Sequence, residues 1–508
     1  MNKKVTTTLL GLAILSAGMI PANAQRFRPS NLGKLIHGKP GAKGVKRGKI
    51  PELFPKITRE SLQPITRSAV RAAMRDKKPE TSPRLSLDAS QMAPIVRSSS
   101  MPAAPKNVRA LSTFPILSGQ EVLIRVDYNV PIEEGKVVDN TRIKETLPTL
   151  RYVLEQGGKP VLISHAGRPK GEVNLKYSLR PMFEELQRLL PEYKGYFATD
   201  CVGPEAKKVV QQAKNGEFVL LENLRFHPEE EANDPAFAKQ LADLVKSTPM
   251  FVEEAFGTVH RAHASTVGVS QYLPTVAGFL VEKELSYLNI LRNSKEPMAV
   301  VFGGSKLGDK IPVINALVEN PNVKAMFFGG GIGYTLLKAK GVEVGKSLVD
   351  NKNLEVAKEI LAKAEANGIE VFLAQDFRLN ATGEFIPTAE AQVSDFVPAD
   401  MESMDIGPKT AALYALELKK YKKIFWNGPM GVFEFPNFAN GSFAVAKAME
   451  EAYQAGAMTF IGGGDTPSIL TRGGFNPENQ THIFTGGGAT LEGIVDGMNL
   501  PGLHVLKK

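Results

Sequence analysis

Short apolar runs punctuate the second half of this chain, and four of them break directly into glycine. Met298–Phe302 runs into Gly303-Gly304-Ser305-Lys306, and Ala325–Phe328 into Gly329-Gly330-Gly331. Met458–Ile461 runs into Gly462-Gly463-Gly464-Asp465, and Thr481–Thr485 into Gly486-Gly487-Gly488. Each run has strand length and precedes a helix-like pattern. Strands alternating with helices form a parallel sheet, which lines such turns along one edge, where open α/β proteins bind ligands. Glycine at those turns lets backbone N–H groups approach a phosphate. The pattern predicts a nucleotide-handling enzyme.

The first half alternates in the same way but ends its strands differently. Glu121–Val126 leads to Asp127-Tyr128-Asn129, and Pro160–Ile163 to Ser164-His165-Ala166-Gly167-Arg168. Phe218–Leu221 leads to Glu222-Asn223-Leu224-Arg225, and Met250–Val252 to a segment holding Arg261. Helical patterns such as Leu179–Leu190 and Asp234–Val245 lie between, which predicts a second doubly wound parallel sheet. Its strand ends carry His165, Arg168, Arg225 and Arg261, with Arg142 shortly after the first strand. Gathered on one edge, these form a basic bowl for a small, multiply anionic substrate. Taken singly, each arginine is as well explained by an ordinary surface ion pair.

Charge divides the chain unevenly. The net charge of +9 arises at the front: residues 25–100 hold 17 Lys+Arg against 5 Asp+Glu, whereas residues 101–508 hold 43 against 48. Residues 1–24 read as a secretory signal: Lys3 and Lys4, the apolar run Leu9–Ile20, then Ala22-Asn23-Ala24 before Gln25. That run is too short to span a bilayer, so no transmembrane span is predicted. The alternative is an unused upstream start, with Met101 as the true one. Residues 25–106 read as a disordered basic extension with one short helical pattern, about Arg59–Arg75. It is either a solvated linker or an arm for an anionic surface. It lacks the interleaved aromatics of single-strand binding, and no nucleic-acid partner is expected. Cys201 is the only cysteine, which excludes an internal disulfide.

Several motifs are decoys. No glycine cluster fits G-x-G-x-x-G, so the dinucleotide fingerprint is missing. Gly341-Val342-Glu343-Val344-Gly345-Lys346-Ser347 has one residue too few between its glycines for a P-loop, and it follows a helix-like segment instead of a strand. His260 and His263 lack a third nearby metal ligand. No nucleophile–base pair stands out for covalent catalysis. What remains is phosphate chemistry by positioning. Lys306 and Lys310, four apart at a helix start, would share one helical face. Asp465 would hold Mg²⁺ through one carboxylate. Asn427 follows the strand Lys423–Trp426, and Glu434 is placed to accept ribose hydroxyls. Asp405–Thr410 reads as a loop and helix cap.

Taken in order, these segments resemble the phosphoglycerate kinase family from about Val108 to Leu506. RVDYNVP (125–131), DNTRI (139–143), SHAGRPKG (164–171), LLENLRFHPEEE (220–231), AFGTVHRAHAST (255–266) and AGFLVEKEL (277–285) resemble its first half. GGSKLGDKI (303–311), DIGPKT (405–410), WNGPMGVFE (426–434), GGGDT (462–466) and TGGGATLE (485–492) resemble its second. Tyr128, Ala166, Glu253-Glu254 and Gly308 depart from the usual phenylalanine, leucine, Asn-Asp and serine. The glutamate pair alters hydrogen bonding close to Arg261.

The resemblance implies two doubly wound, Rossmann-like α/β domains joined by a helical hinge. Residues 107–280 would bind phosphoglycerate, 281–296 would form the hinge helix and linker, and 297–490 would bind nucleotide. Residues 491–508 would pack back on the first domain. The implied reaction is reversible, Mg²⁺-dependent phosphoryl transfer from 1,3-bisphosphoglycerate to ADP, giving 3-phosphoglycerate and ATP. Implied phosphoglycerate contacts are Asp127, Asn129, Arg142, His165, Arg168, Arg225 and Arg261. Implied nucleotide contacts are Lys306, Lys310, Asn427, Glu434, Gly463, Gly464, Asp465 and Thr466, with Asp465 holding the metal. Arg142, Lys306, Gly464 and Gly487 would act on the moving group. A monomeric, cytoplasmic enzyme follows from the resemblance, whereas the signal-like front suggests export. The alternatives are an exported protein docking on a surface through its basic arm, and a kinase for another small acid.

Overall fold

The computed structural model of the protein describes residues 105–380 and 391–508. The signal-like segment and the basic extension up to residue 104, with its short helical pattern, lie outside the described residues.

Among the described residues eight strands belong to the first half: β1 Glu121–Arg125, β2 Ile132–Glu133, β3 Lys136–Val137, β4 Lys159–Ile163, β5 Gly195–Phe197, β6 Phe218–Leu220, β7 Met250–Glu253 and β8 Thr275–Ala277. Six form one parallel sheet in the order β5-β6-β4-β1-β7-β8, while β2 and β3 make a small antiparallel hairpin. Among the described residues nine strands follow: β9 Met298–Phe302, β10 Val323–Phe328, β11 Glu370–Phe372, β12 Phe377–Asn380, β13 Gln392–Ser394, β14 Glu402–Ile406, β15 Lys423–Asn427, β16 Met458–Gly462 and β17 His482–Ile483. A second parallel sheet has the order β11-β10-β9-β15-β16-β17, and β13-β12-β14 form an antiparallel patch.

Both large sheets are covered on both faces, which is why their strands read as unbroken apolar runs. Side chains alternate along each strand. In the first sheet Leu123, Val161, Val219 and Phe251 pack on one side, while Val122, Ile124, Leu162 and Val252 pack in a separate cluster on the other. In the second, Val300, Phe302, Phe328 and Phe425 belong to one core, and Val301, Phe327, Ile424 and Trp426 to another.

The helix Phe279–Asn293 links the two sheets. Its Val281, Leu285, Leu288 and Leu291 join a cluster containing Phe256 and Val259 of the first half and Phe302, Phe425, Phe460 and Phe484 of the second. The end of the chain returns to the first half. Arg109 N–H donates to Leu506 O at 2.9 Å, and Gly502 N–H to Val259 O at 2.8 Å.

Two local expectations need correction. Lys306 lies in the turn before a 3-10 segment, Gly308–Lys310, and the α-helix starts only at Ile311. The two lysines therefore share no helical face, because Gly308 and the proline at the second helical position tighten the entry into a different pitch. Asp405 and Ile406 are buried strand residues of β14, not loop, and the helix Pro408–Leu418 begins after Gly407. The cap comes from elsewhere: Asp376 accepts from the N–H groups of Lys409 at 2.9 Å and Thr410 at 2.8 Å.

Candidate active site

Parallel strands place their C-terminal ends together, so β1, β4, β6 and β7 deliver four polar turns to one edge. Asp127 follows β1 and accepts from Arg142 Nη1 at 2.8 Å, and the same nitrogen reaches Asn129 O at 3.2 Å. Asn129 Oδ1 accepts from Gly167 N–H at 2.9 Å, which ties the first turn to the second. Arg225 Nη1 donates to Gly167 O at 2.9 Å, and Asn223 holds the same loop by donating to Ala166 O and Tyr177 O at 2.8 Å each. Arg168 projects from this loop and is exposed. Arg261 Nε donates to His260 Nε2 at 3.1 Å.

The charges converge on one buried ring. His165 is held well below the ordinary histidine range, first by burial and then by Arg125, Arg225, Arg261 and Arg142. His260 and His263 are likewise pushed down to about 4, by burial and by neighbouring arginines. The histidines are thus neutral hydrogen-bonding groups in a cationic bowl. Arg125 is the residue that sequence reasoning passed over. It is buried in β1, with Nη2 3.1 Å from His165 Nδ1 and Nε donating to Ser265 Oγ at 2.8 Å. Its signal was a charge at the inner end of an otherwise apolar run, Val122–Ile124.

The glutamate pair accepts from backbone N–H groups rather than from Arg261. Glu253 accepts from Ala255 N–H at 2.9 Å and feels Arg125, while burial pushes its carboxyl up to about 8. Glu254 faces the linking helix, where Leu280 N–H lies 3.2 Å from each of its oxygens.

Across the second sheet, β9, β10, β15, β16 and β17 run parallel, and the four glycine turns share an edge with the turn after β15. Two of these turns touch backbone to backbone. A Cβ on Gly303 would fall 1.9 Å from Pro429 O, so only glycine fits there. Lys310 Nζ donates to Asn427 Oδ1. Burial lowers the Lys310 pKa, and Asp309 and Asp465 oppose that shift. Asn427 is buried, and its Nδ2 has no partner among the described residues. Thr466 Oγ1 accepts from Gly428 N–H at 2.8 Å, and a Cβ on Gly463 would crowd both Asn427 and Thr466. Gly464, Asp465, Glu434 and Lys306 are exposed, and space is open where Gly464 and Gly487 would carry a side chain. An exposed carboxylate beside open glycine turns suits Mg²⁺ and nucleotide phosphates, since Mg²⁺ prefers hard oxygen ligands. The P-loop look-alike is occupied otherwise: Lys346 N–H donates to Met401 O at 2.7 Å.

The two half-sites meet near the linking helix. Asp127, Arg142 and Gly257 line one small cavity together with Thr485 of the second half. Gly257 lies between Asp127 and Gly486 O, with its Cβ position 2.4 and 3.9 Å from them. Apart from this region, Asp200, Cys201 and His227 come within 4.8 Å of one another. His227 Nε2 bonds Asp200 Oδ1 at 2.7 Å, and burial raises the Cys201 thiol well above its usual value, so the group is an ion pair beside a protonated core thiol.

Arginine side chains on one parallel-sheet edge and glycine turns on another, meeting at a shared cavity, are the build of an α/β phosphotransferase. The family model described as Phosphoglycerate kinase matches residues 113–496. A phosphoglycerate kinase of Elusimicrobium minutum is 46% identical over 406 residues, covering 79% of this chain and 99% of that protein. One from Chloroflexus aggregans is 47% identical over 395 residues, covering 77% and 96%. The structure of phosphoglycerate kinase from Coxiella burnetii aligns with a TM-score of 0.67 at 33% identity, over 78% of this chain and 98% of that one. That from Pyrococcus horikoshii gives 0.69 at 31%, with the same coverage. The chain belongs to the phosphoglycerate kinase family and is a kinase acting on the carboxyl group of phosphoglycerate. Nothing in these likenesses supports the surface-docking alternative. No helix among the described residues is long and apolar enough to cross a membrane.

Proposed function

We propose that the enzyme transfers a phosphoryl group reversibly between 1,3-bisphosphoglycerate and ADP, with Mg²⁺, and that the residues named above divide the work by half. The observation that carries this reading is the convergence of Arg125, Arg142, Arg225 and Arg261 on one neutral histidine, beside a cavity that Thr485 also lines. His165, Arg168, Arg225 and Arg261 bind and orient the phosphoglycerate, and Asp127 and Asn129 fix the Arg142 guanidinium. Lys310, Asn427, Thr466 and the N–H groups of Gly463, Gly464 and Gly487 receive the nucleotide phosphates, and Glu434 the ribose. Asp465 holds Mg²⁺, which when bound neutralises phosphate charge. Arg142 and Lys306 flank the group in flight. Such transfer needs alignment and charge stabilisation more than covalent help. Because the half-sites belong to different sheets, closure about the helix Phe279–Asn293 assembles them and expels water.

The test is a coupled assay of purified protein against a panel of small acids. The reading expects Mg²⁺- and ATP-dependent turnover with 3-phosphoglycerate far above that with any other acid. Equal turnover with another acid would overturn it. We propose further that the enzyme is cytoplasmic, since its co-substrate is ADP, and that it is a monomer, as the resemblance to its family implies. Light scattering and N-terminal sequencing check this: a start near Met101 supports it, and a mature terminus at Gln25 contradicts it.

A further inference from the structure

The linking helix is gripped at its two ends by buried polar side chains, a carboxyl from the first half and an amine from the second. At its start, Gly278 is the cap residue and the first N–H groups have no partner within the helix. Both are met by the first half. Phe279 N–H donates to Thr149 Oγ1 at 2.9 Å, and Leu280 N–H lies 3.2 Å from each oxygen of Glu254. Glu254 directly follows β7, is fully buried, and sits so close to Gly278 that a Cβ there would fall 1.9 Å from Oε2. At the far end the second half takes over. Lys423, the first residue of β15, is fully buried and sends Nζ to Ser294 O at 2.8 Å and to Leu291 O at 3.4 Å.

A helix carries partial positive charge at its N-terminus and partial negative charge at its C-terminus. The Lys423 ammonium matches the field it meets, while the Glu254 carboxyl, pushed up by burial, serves the other end as a hydrogen-bond acceptor. The grip also has a mechanical consequence, because each end is fastened to a different sheet. We propose that Glu254 and Lys423 are positioning residues for phosphoryl transfer: together they fix the angle at which the linking helix leaves one sheet and enters the other. That angle sets how readily Arg142 on one side and Lys306 on the other come to flank the transferred group. Neither residue belongs to the sets assigned to substrate contact. Releasing either end widens the range of angles and lowers the closed fraction. The loss then falls on kcat, since each substrate still finds its own half-site intact.

The proposal rests on the closure reading above, and the experiment separates the two. Wild type, Lys423→Met, Lys423→Arg and Glu254→Gln are compared by steady-state kinetics, by calorimetric titration with MgADP and with 3-phosphoglycerate separately, and by small-angle scattering with and without both ligands. Lys423→Met keeps the apolar stem and removes the donor. It should lower kcat about 10-fold while each Kd stays within about 2-fold, and Lys423→Arg should recover most of the loss. The ligand-induced contraction should shrink in Lys423→Met and return in Lys423→Arg. If Lys423→Met does not fold, Glu254→Gln reads the other end: it removes one of the two acceptor oxygens near Leu280 N–H and keeps the other, so kcat and contraction should fall in the same direction but by less. Unchanged kcat and contraction in a folded variant would overturn the proposal. So would kcat and both affinities falling together with Tm, which marks general destabilisation. A wild type that turns over without contracting would remove the closure reading, and the clamp with it.

Discussion

The two sheets end in opposite chemistries. The edge of the first is built from side chains, with Arg142, Arg168, Arg225 and Arg261 around His165. The edge of the second is built largely from backbone, with glycine after four of its strands. Guanidinium forks fix the direction from which a carboxylate or phosphate is read, so they suit one particular small acid. Glycine turns offer N–H groups at close range and suit a polyphosphate that many enzymes share. The price of the first solution is crowding. Arg142 is tied to Asp127, Arg225 to Gly167 O, and Arg261 to His260, while three nearby histidines are kept neutral.

The sharpest way to break this division is at Lys306, one of the two lysines proposed to serve the glycine side. Lys306→Ala should lower kcat by about 10²–10³, on the order of 3–4 kcal/mol of transition-state stabilisation, with little change in the KM for ADP. Steady-state kinetics giving a KM effect alone would make Lys306 a simple binding group. Next in size is Arg168→Ala. It should weaken 3-phosphoglycerate binding about 10- to 100-fold and leave MgADP binding unchanged, since a charge-assisted hydrogen bond is worth roughly 1.5–3 kcal/mol. Titration calorimetry with each ligand separates the halves, and a loss on the nucleotide side would erase the distinction.

How far the sequence reveals this differs between the two edges. Turns that follow a strand directly are legible, because strand, turn and helix are neighbours in the chain. His165, Arg225 and the four glycine clusters could be placed on their edges for that reason. Contacts between distant segments are not legible. Nothing local says that Glu254 caps a helix 26 residues on, or that Asp376 caps the helix starting at Pro408. The face shared by Lys306 and Lys310 was read from a helical period that Gly308 interrupts. Arg125 was hidden by the rule that made its strand visible, since a buried charge in an apolar run reads as tolerated rather than used.

Backbone geometry supplies a smaller effect. Gly487 has φ +55° and caps the helix Gly488–Asp496, with open space around it. Gly487→Ala meets no clash but must hold a conformation that costs about 1–3 kcal/mol. The expected outcome is a lower Tm together with a lower kcat, and an unchanged Tm would mean the turn relaxes freely.

The last effect, on stability alone, is the pH response of the crowded side. His263 has a folded pKa of about 4 against 6.5 ordinarily, so between those values the unfolded chain binds more protons than the folded one. Its contribution to stability is complete above pH 6.5 and is lost as pH falls toward 4. His263→Asn removes that component. The gap in Tm between wild type and variant should therefore narrow from pH 7.5 to pH 4.5, by the equivalent of about 2–3 kcal/mol for a shift of that size. A constant gap would show that burial and the arginines leave His263 unperturbed.

The most direct test of the division itself is a crystal structure of the enzyme with 3-phosphoglycerate, Mg²⁺ and a non-hydrolysable ATP analogue. The account predicts the acid held by the arginines around His165, the nucleotide phosphates on the glycine turns, and Arg142 and Lys306 on either side of the terminal phosphate. Nucleotide phosphates lying among the arginines, or the two ligands bound on faces that do not meet, would contradict it.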